Sequence, residues 1–167
     1  MALQMDGRLT RNEILEFMAN AEVKEGRVTN QVYGEMNDRV RDTVISLIDR
    51  EREGEQIDEA LVKNVLDIYV EMDEDSMKYY VKDFEESMLK DTAIFYSKKA
   101  LDWIASKSYE DYMLKVEECL KNEEARIQRY LRYKSKHKLL EVAEYELLSV
   151  HASKLEEKKQ INLAANA

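Results

Sequence analysis

Proline is absent from the 167 residues, and glycine occurs only four times. Both residues interrupt regular structure, so their scarcity favours long, unbroken helices. One cysteine, Cys119, is present; this excludes an intrachain disulfide and fits a reducing compartment, cytoplasmic or nuclear. No stretch approaches the roughly 20 apolar residues of a membrane span. The opening MALQMDGRLTRNE carries no signal-peptide pattern, so a soluble intracellular chain is expected. The two histidines, His137 and His151, have no glutamate three residues before them, and no His-Glu-x-x-His stretch exists. The usual di-iron and zinc signatures are thereby missing. No glycine-rich phosphate cradle occurs either. The residues offer no catalytic, cofactor-binding or metal-ligating set, and no enzyme is expected.

What the chain has is charge and helical periodicity. Charged residues make up 37% and hydrophobic ones 44%, with a net charge of −9. Such a surface repels phosphate, so neither nucleic acid nor an anionic membrane is an expected partner. Thr10 followed by Glu13 is a capping box, opening a short helix through Ile14, Leu15, Phe17, Met18 and Ala21, with Gly26 as its stop. Val32, Met36, Val40, Val44, Leu47 and Ile48 predict a second helix over 31–53. Asp58 caps a third, with Leu61, Val65, Ile68 and Met72 on one face and Val62, Leu66, Tyr69 and Val70 widening it. After the acidic cluster Asp73–Ser76 comes a long helix reaching Ser106, lined by Met77, Tyr80, Val81, Phe84, Met88, Phe95 and Trp103. Ser108 and Asp111 cap a fifth, lined by Tyr112, Met113, Val116, Leu120, Ile127 and Tyr130. A sixth is lined by Leu139, Leu140, Ala143, Leu147, Val150 and Leu155, and the tail from Lys158 is expected to fray. No alternating strand pattern, flexible linker or internal repeat appears. The expected fold is all-α, a monomeric multi-helix bundle.

Four stretches have a possible functional reading. DREREGEQID, residues 49–58, places acids at alternate positions and Gly54 at the sixth, as a calcium loop does. The match then fails: Gln56 takes the apolar eighth position and Ala60 the acidic twelfth. A helix end at Glu53, a positive φ at Gly54 and a new cap at Asp58 explain the stretch better. Cys119 lies beside Leu120 on an inner helix face and reads as a buried, inert thiol. The acid pairs Glu85-Glu86, Glu117-Glu118 and Glu123-Glu124 read as solvated helix faces. The basic run Arg132–Lys138, with Arg126 and Arg129 upstream, reads first as charge relief at a helix C-terminus and second as a partner-binding patch.

Longer segments carry a family resemblance. GEQIDEALVKNVLDIYVEM resembles the N-terminal helical stalk of cullins, in particular plant cullins of the F-box-ligase type. DFEESMLKDTAIFYSKKALDWI is similar to the long helix that follows in that stalk. DYMLKVEECLKNEEARIQRYL and KLLEVAEYELLSVHASKLEEK resemble its next two segments. The order and spacing agree from Val32 to Lys158. The resemblance implies a cullin-repeat-like bundle of long antiparallel helices over 31–158, most like the second cullin repeat. An N-terminal helical segment at 1–30 and a tail at 159–167 fall outside it.

The resemblance also implies a role. Cullins are scaffolds of ubiquitin ligases: a first repeat grips a receptor adaptor, and a C-terminal domain holds a RING subunit and receives a ubiquitin-like modifier. These 167 residues contain no counterpart of that C-terminal domain. A non-catalytic scaffold fragment is therefore expected, acting as a rigid spacer or as a protein-binding module that competes with full-length cullins. Its expected partners are proteins, ligase subunits or regulators among them. Calorimetry with calcium is expected to show no tight site at residues 49–58; a tight site abolished by Glu53→Ala would overturn the turn reading.

Overall fold

The first described turn follows its capping signature. In the computed structural model, which describes Thr10 and residues 12–16, 30–71 and 84–165, Thr10 Oγ1 accepts from the Glu13 amide at 3.2 Å. Glu13 Oε1 accepts in return from the Thr10 amide at 3.1 Å. This reciprocal pair starts helix α1 at residues 12–16. The amide bond from Thr10, and then the one involving its hydroxyl, hold the Glu13 carboxyl below the usual range. Ile14, one position on, is buried.

Helix α2 (Asn30–Arg52) buries Val40, Val44 and Ile48, one residue every fourth position. Ile45 joins them, whereas Leu47 is only half-buried. Thr43 is drawn into the same face, and its hydroxyl donates to the Arg39 carbonyl at 2.8 Å. Helix α3 (Glu59–Glu71) starts where Asp58 Oδ1 accepts from the Leu61 amide at 3.1 Å. Leu61, Val62, Val65, Leu66 and Tyr69 are all buried, the broad face expected from the sequence. The Tyr69 and Phe84 rings meet at 6.0 Å between centroids. Several sequence expectations lie outside the described residues: Phe17, Met18, Ala21, Gly26, Met72, the Asp73–Ser76 cluster, Met77, Tyr80 and Val81. So do the side chains of Val32, Met36, Ile68 and Val70.

The chain forms two compact units, residues 1–88 and 89–167. The division falls in the first turn of α4 (Glu86–Ser106). In the second unit α5 (Tyr109–Arg129) begins at Ser108, whose hydroxyl accepts from the Asp111 amide at 3.2 Å. A single 3-10 turn (Tyr133–Ser135) leads into α6 (Lys136–Glu144), a π turn (Tyr145–Ser149) and α7 (Ala152–Ala165). Tyr96, Ala100, Tyr112, Val116, Ala143, Leu147 and Leu155 make the core of this unit. The architecture is all-α; no strand occurs among the described residues.

Glu85, expected on a solvated face with Glu86, is 3% exposed, and Trp103, Val150 and the tail past Lys158 differ from the expectation as well. Trp103 sits at the rim of the core, half-buried, because it lies in the last turn of α4 where the core thins; the Lys115 ammonium is 5.8 Å from its ring centroid. Val150 is 51% exposed. The π turn closes through a bond from the Val150 amide to the Tyr145 carbonyl at 3.1 Å, which widens the turn and rotates Val150 off the inner stripe that Leu139, Ala143 and Leu147 hold. Past Lys158 the structure continues α7 to Ala165. Lys158 Nζ donates to the Lys107 carbonyl at 2.7 Å, where a cation at a helix C-terminus is favoured.

Phe84 is fully buried in the first unit, so Phe84→Ala is expected to cost about 3–5 kcal/mol. A urea titration followed by far-ultraviolet circular dichroism measures it, and a loss under about 1 kcal/mol contradicts the packing described.

Candidate functional site

Residues 49–58 were the first candidate, and their geometry is that of a helix stop. The Gly54 amide donates to the Glu51 carbonyl and the Glu55 amide to the Arg50 carbonyl, each at 3.0 Å. Gly54 has φ +97°. These two bonds around a left-handed glycine are a Schellman ending. Two acids of the stretch face arginines. Asp49 meets Arg52 at 3.0 Å and Glu55 meets Arg50 at 3.1 Å. The Arg52 side chain is 1% exposed, a burial the sequence reading missed. Asp58 is committed to the α3 cap. Among the described residues no group of three histidine, cysteine or acidic side chains is placed to hold a metal.

The most unusual chemistry lies elsewhere, in the second unit. Glu123 is completely buried, and Arg126 and Tyr96 nearly so. The Tyr96 hydroxyl donates to Glu123 Oε1. Arg126 pairs with the same oxygen at 2.7 Å, one helical turn along α5. The pair Glu123-Glu124 is therefore not a solvated face: only Glu124 is exposed. The signal was in the sequence, because Glu123 falls on the stripe of Tyr112, Val116 and Ile127. A carboxylate at such a position must bring its own cation, and an arginine three residues on supplies it. Arg126 consequently leaves the basic patch to which the sequence reading assigned it.

A second buried bond supports the same core. The Tyr112 hydroxyl donates to the Leu147 carbonyl at 2.5 Å, tying α5 to the π turn. Burial, with a smaller contribution from Cys119, pushes the Tyr112 phenol up to about 12. Cys119 is half-buried rather than enclosed. Burial first, and then Glu118 and Glu123, push its thiol up to about 11, so the thiolate nucleophile is suppressed. His137 is exposed, 3.9 Å from Glu141, and His151 is half-buried. The Tyr96–Glu123–Arg126 cluster is sealed from solvent, so its geometry is that of an internal tie between α4 and α5, with no path for a substrate.

The comparisons with known proteins follow the same helices. A family model described as the cullin alpha solenoid domain matches residues 18–166. The chain belongs to the cullin family. The match is wider than the resemblance read over 32–158. The chain is 58% identical over 128 residues to Cullin-1 of Oryza sativa subsp. japonica, covering 77% of this chain and 17% of that protein. It is 47% identical over 144 residues to a cullin-like protein 2 of Arabidopsis thaliana, covering 86% of this chain and 38% of the relative. Cullin-like protein 3 of the same plant is 47% identical over 113 residues, 68% of this chain and 44% of the relative. The chain thus spans less than half the length of the curated relatives it matches.

The internal tie yields a test with a built-in reporter. Removing one charge leaves the other buried without its counter-ion. Glu123→Leu and Arg126→Leu are each expected to cost about 3–5 kcal/mol, and the double variant less than the sum. Trp103, the single tryptophan, reports this unit by fluorescence in urea. Additive losses would mean that the two side chains do not act as a pair.

Proposed function

We propose that the chain is a non-catalytic helical scaffold segment of the cullin type. It acts as a rigid spacer or protein-interaction element in the ubiquitin-ligase system, in the cytoplasm or nucleus. The observation that carries the reading is the cullin solenoid match over residues 18–166. The packing is consistent with stiffness. Tyr96, Ala100, Tyr112, Val116, Ala143 and Leu147 are buried together, and each fully buried large side chain contributes about 1.5–3 kcal/mol before chain entropy is subtracted. Ties across the second unit, Tyr96 to Glu123, Tyr112 to Leu147 and Lys158 to Lys107, fix the helices against each other. Such a body holds bound proteins at a set separation. In this reading the chain is a monomer, and its partners are ligase subunits or regulators.

A second reading is a stand-alone module that competes with full-length cullins. Exposed apolar side chains favour it. Ile94 and Leu101, 55% and 58% exposed, lie seven residues apart on α4 and so share one helix face.

A reconstituted ubiquitination assay separates scaffold from fragment. A scaffold works by raising the effective concentration of substrate near the RING subunit, which requires both ends to be engaged. Added to conjugating enzyme, RING subunit and adaptor, this chain is expected to leave substrate ubiquitination at the scaffold-free background. Transfer above that background would contradict the fragment reading. In the same assay run with a full-length cullin, a dose-dependent loss of transfer would support the competing module.

A further inference from the structure

The connection between α5 and α6 is the one place where the described sequence reverses its charge. Five cations, Arg129, Arg132, Lys134, Lys136 and Lys138, fall between residues 129 and 140, with no acid among them. The whole chain carries −9, so everything outside these five carries −9 − 5 = −14. The turn is also firmly built. Tyr130, Leu131, Ser135 and Leu139 are buried and anchor it from below. The Leu131 amide bonds back to the Arg126 carbonyl at 3.2 Å and the Ser135 amide to the Arg132 carbonyl at 3.0 Å. What points outward is Tyr133, 73% exposed, together with exposed Arg129, Lys134 and Lys138. Lys136 spans the two sides, its ammonium 5.6 Å from the Tyr133 ring centroid and 3.6 Å from Glu124. An exposed aromatic side chain on a buried base, with the Lys136 ammonium beside its ring, is more than charge relief at a helix end. Relief needs only the cations and does not call for an exposed ring among them.

We propose that this turn is a docking surface for an acidic linear peptide segment of a partner protein, its carboxylates on Lys134, Lys138 and Arg129 and an apolar side chain on Tyr133. Charge complementarity selects the class of partner. A nucleic acid carries a phosphate every few ångströms along its length, about one charge per 1.7 Å of duplex. It would extend beyond a patch of ten residues in a chain whose other residues sum to −14. A short acidic segment ends where the patch ends. Exposed ion pairs each contribute little, so the ring supplies the anchor and the cations supply selectivity. Because the turn is anchored before binding, little ordering entropy is lost on its side.

The inference rests on the protein-binding reading above, but its test needs no ligase component. Fluorescence anisotropy with the full chain and a labelled twelve-residue peptide of glutamates around a central phenylalanine measures it. Binding is expected to be weak and to fall about tenfold between low salt and 0.3 M salt. Lys134→Glu with Lys138→Glu is expected to weaken it at least about tenfold, and Tyr133→Ala by about three- to tenfold. Lys121→Glu, a charge reversal at a 74% exposed site on α5, is expected to leave it within about twofold. Thermal melts identify the variants that keep the fold, and Tyr133→Ala carries the test if the double reversal does not. No binding, equal weakening by Lys121→Glu, an unaffected Tyr133→Ala, or tighter binding of a DNA duplex of similar length overturns the proposal. The ubiquitination result can stand while this one fails, since the peptide titration addresses the turn alone.

Discussion

A polar group drawn into a helical core must bring its partner with it, and the second unit is organised around that requirement. Glu123 is a carboxylate with no access to water. Left alone it would take up a proton or expel itself from the core. Arg126 compensates it along the same helix, and Tyr96 compensates it from α4. The second bond has a consequence that the first lacks. A phenol reaching from another helix fixes both the height and the rotation of that helix, because one oxygen must meet one oxygen. Apolar packing alone permits small slips; a buried hydrogen bond does not. The same logic holds at Tyr112, whose hydroxyl finds the Leu147 carbonyl where the helical path is locally widened.

Much of the helical plan was legible in the residues. Local rules account for Thr10 with Glu13, Asp58 before Leu61, Ser108 before Asp111, and Gly54 at the end of α2. Each depends on side chains within a few residues of the backbone groups they satisfy. Periodicity likewise found Val44, Val65, Tyr112 and Leu139, because a stripe at helical spacing has one side on which to be buried. What failed to be read involved long-range partners or a change of pitch. Glu123 was assigned to water by its residue type, although its position belonged to the core. Val150 was placed by a constant 3.6-residue period, which a π turn breaks. Trp103 was placed in the core as part of the lining of its helix, whereas depth is set by how far the neighbouring elements extend.

The candidate calcium loop shows how composition misleads without geometry. Its acids are real, but Asp49 and Glu55 face Arg52 and Arg50, and the glycine serves a helix ending. The same run of charges supports two chemistries on paper. The pairing of Asp49 and Glu55 with nearby guanidinium groups and the commitment of Asp58 to a helix cap decide between them, since an acid so engaged offers less to a cation. The basic turn is the reverse case. There the sequence reading counted Arg126 among the cations, and the structure removes it and adds Tyr133. A patch defined by charge becomes a patch with a shape.

The ties of the second unit also differ in how much chain they enclose. Tyr96 and Glu123 are 27 residues apart, Tyr112 and Leu147 are 35, and Lys158 and Lys107 are 51. Loop closure grows only with the logarithm of length, so going from the shortest of these to the longest adds about 0.6 kcal/mol of entropy cost. Once α4 and α5 have doubled back through the short Lys107–Ser108 link, most of the path to Lys158 is already laid down as helix. The last clasp then closes a nearly finished body rather than a free coil, which leaves its far end almost as well tethered as its near one.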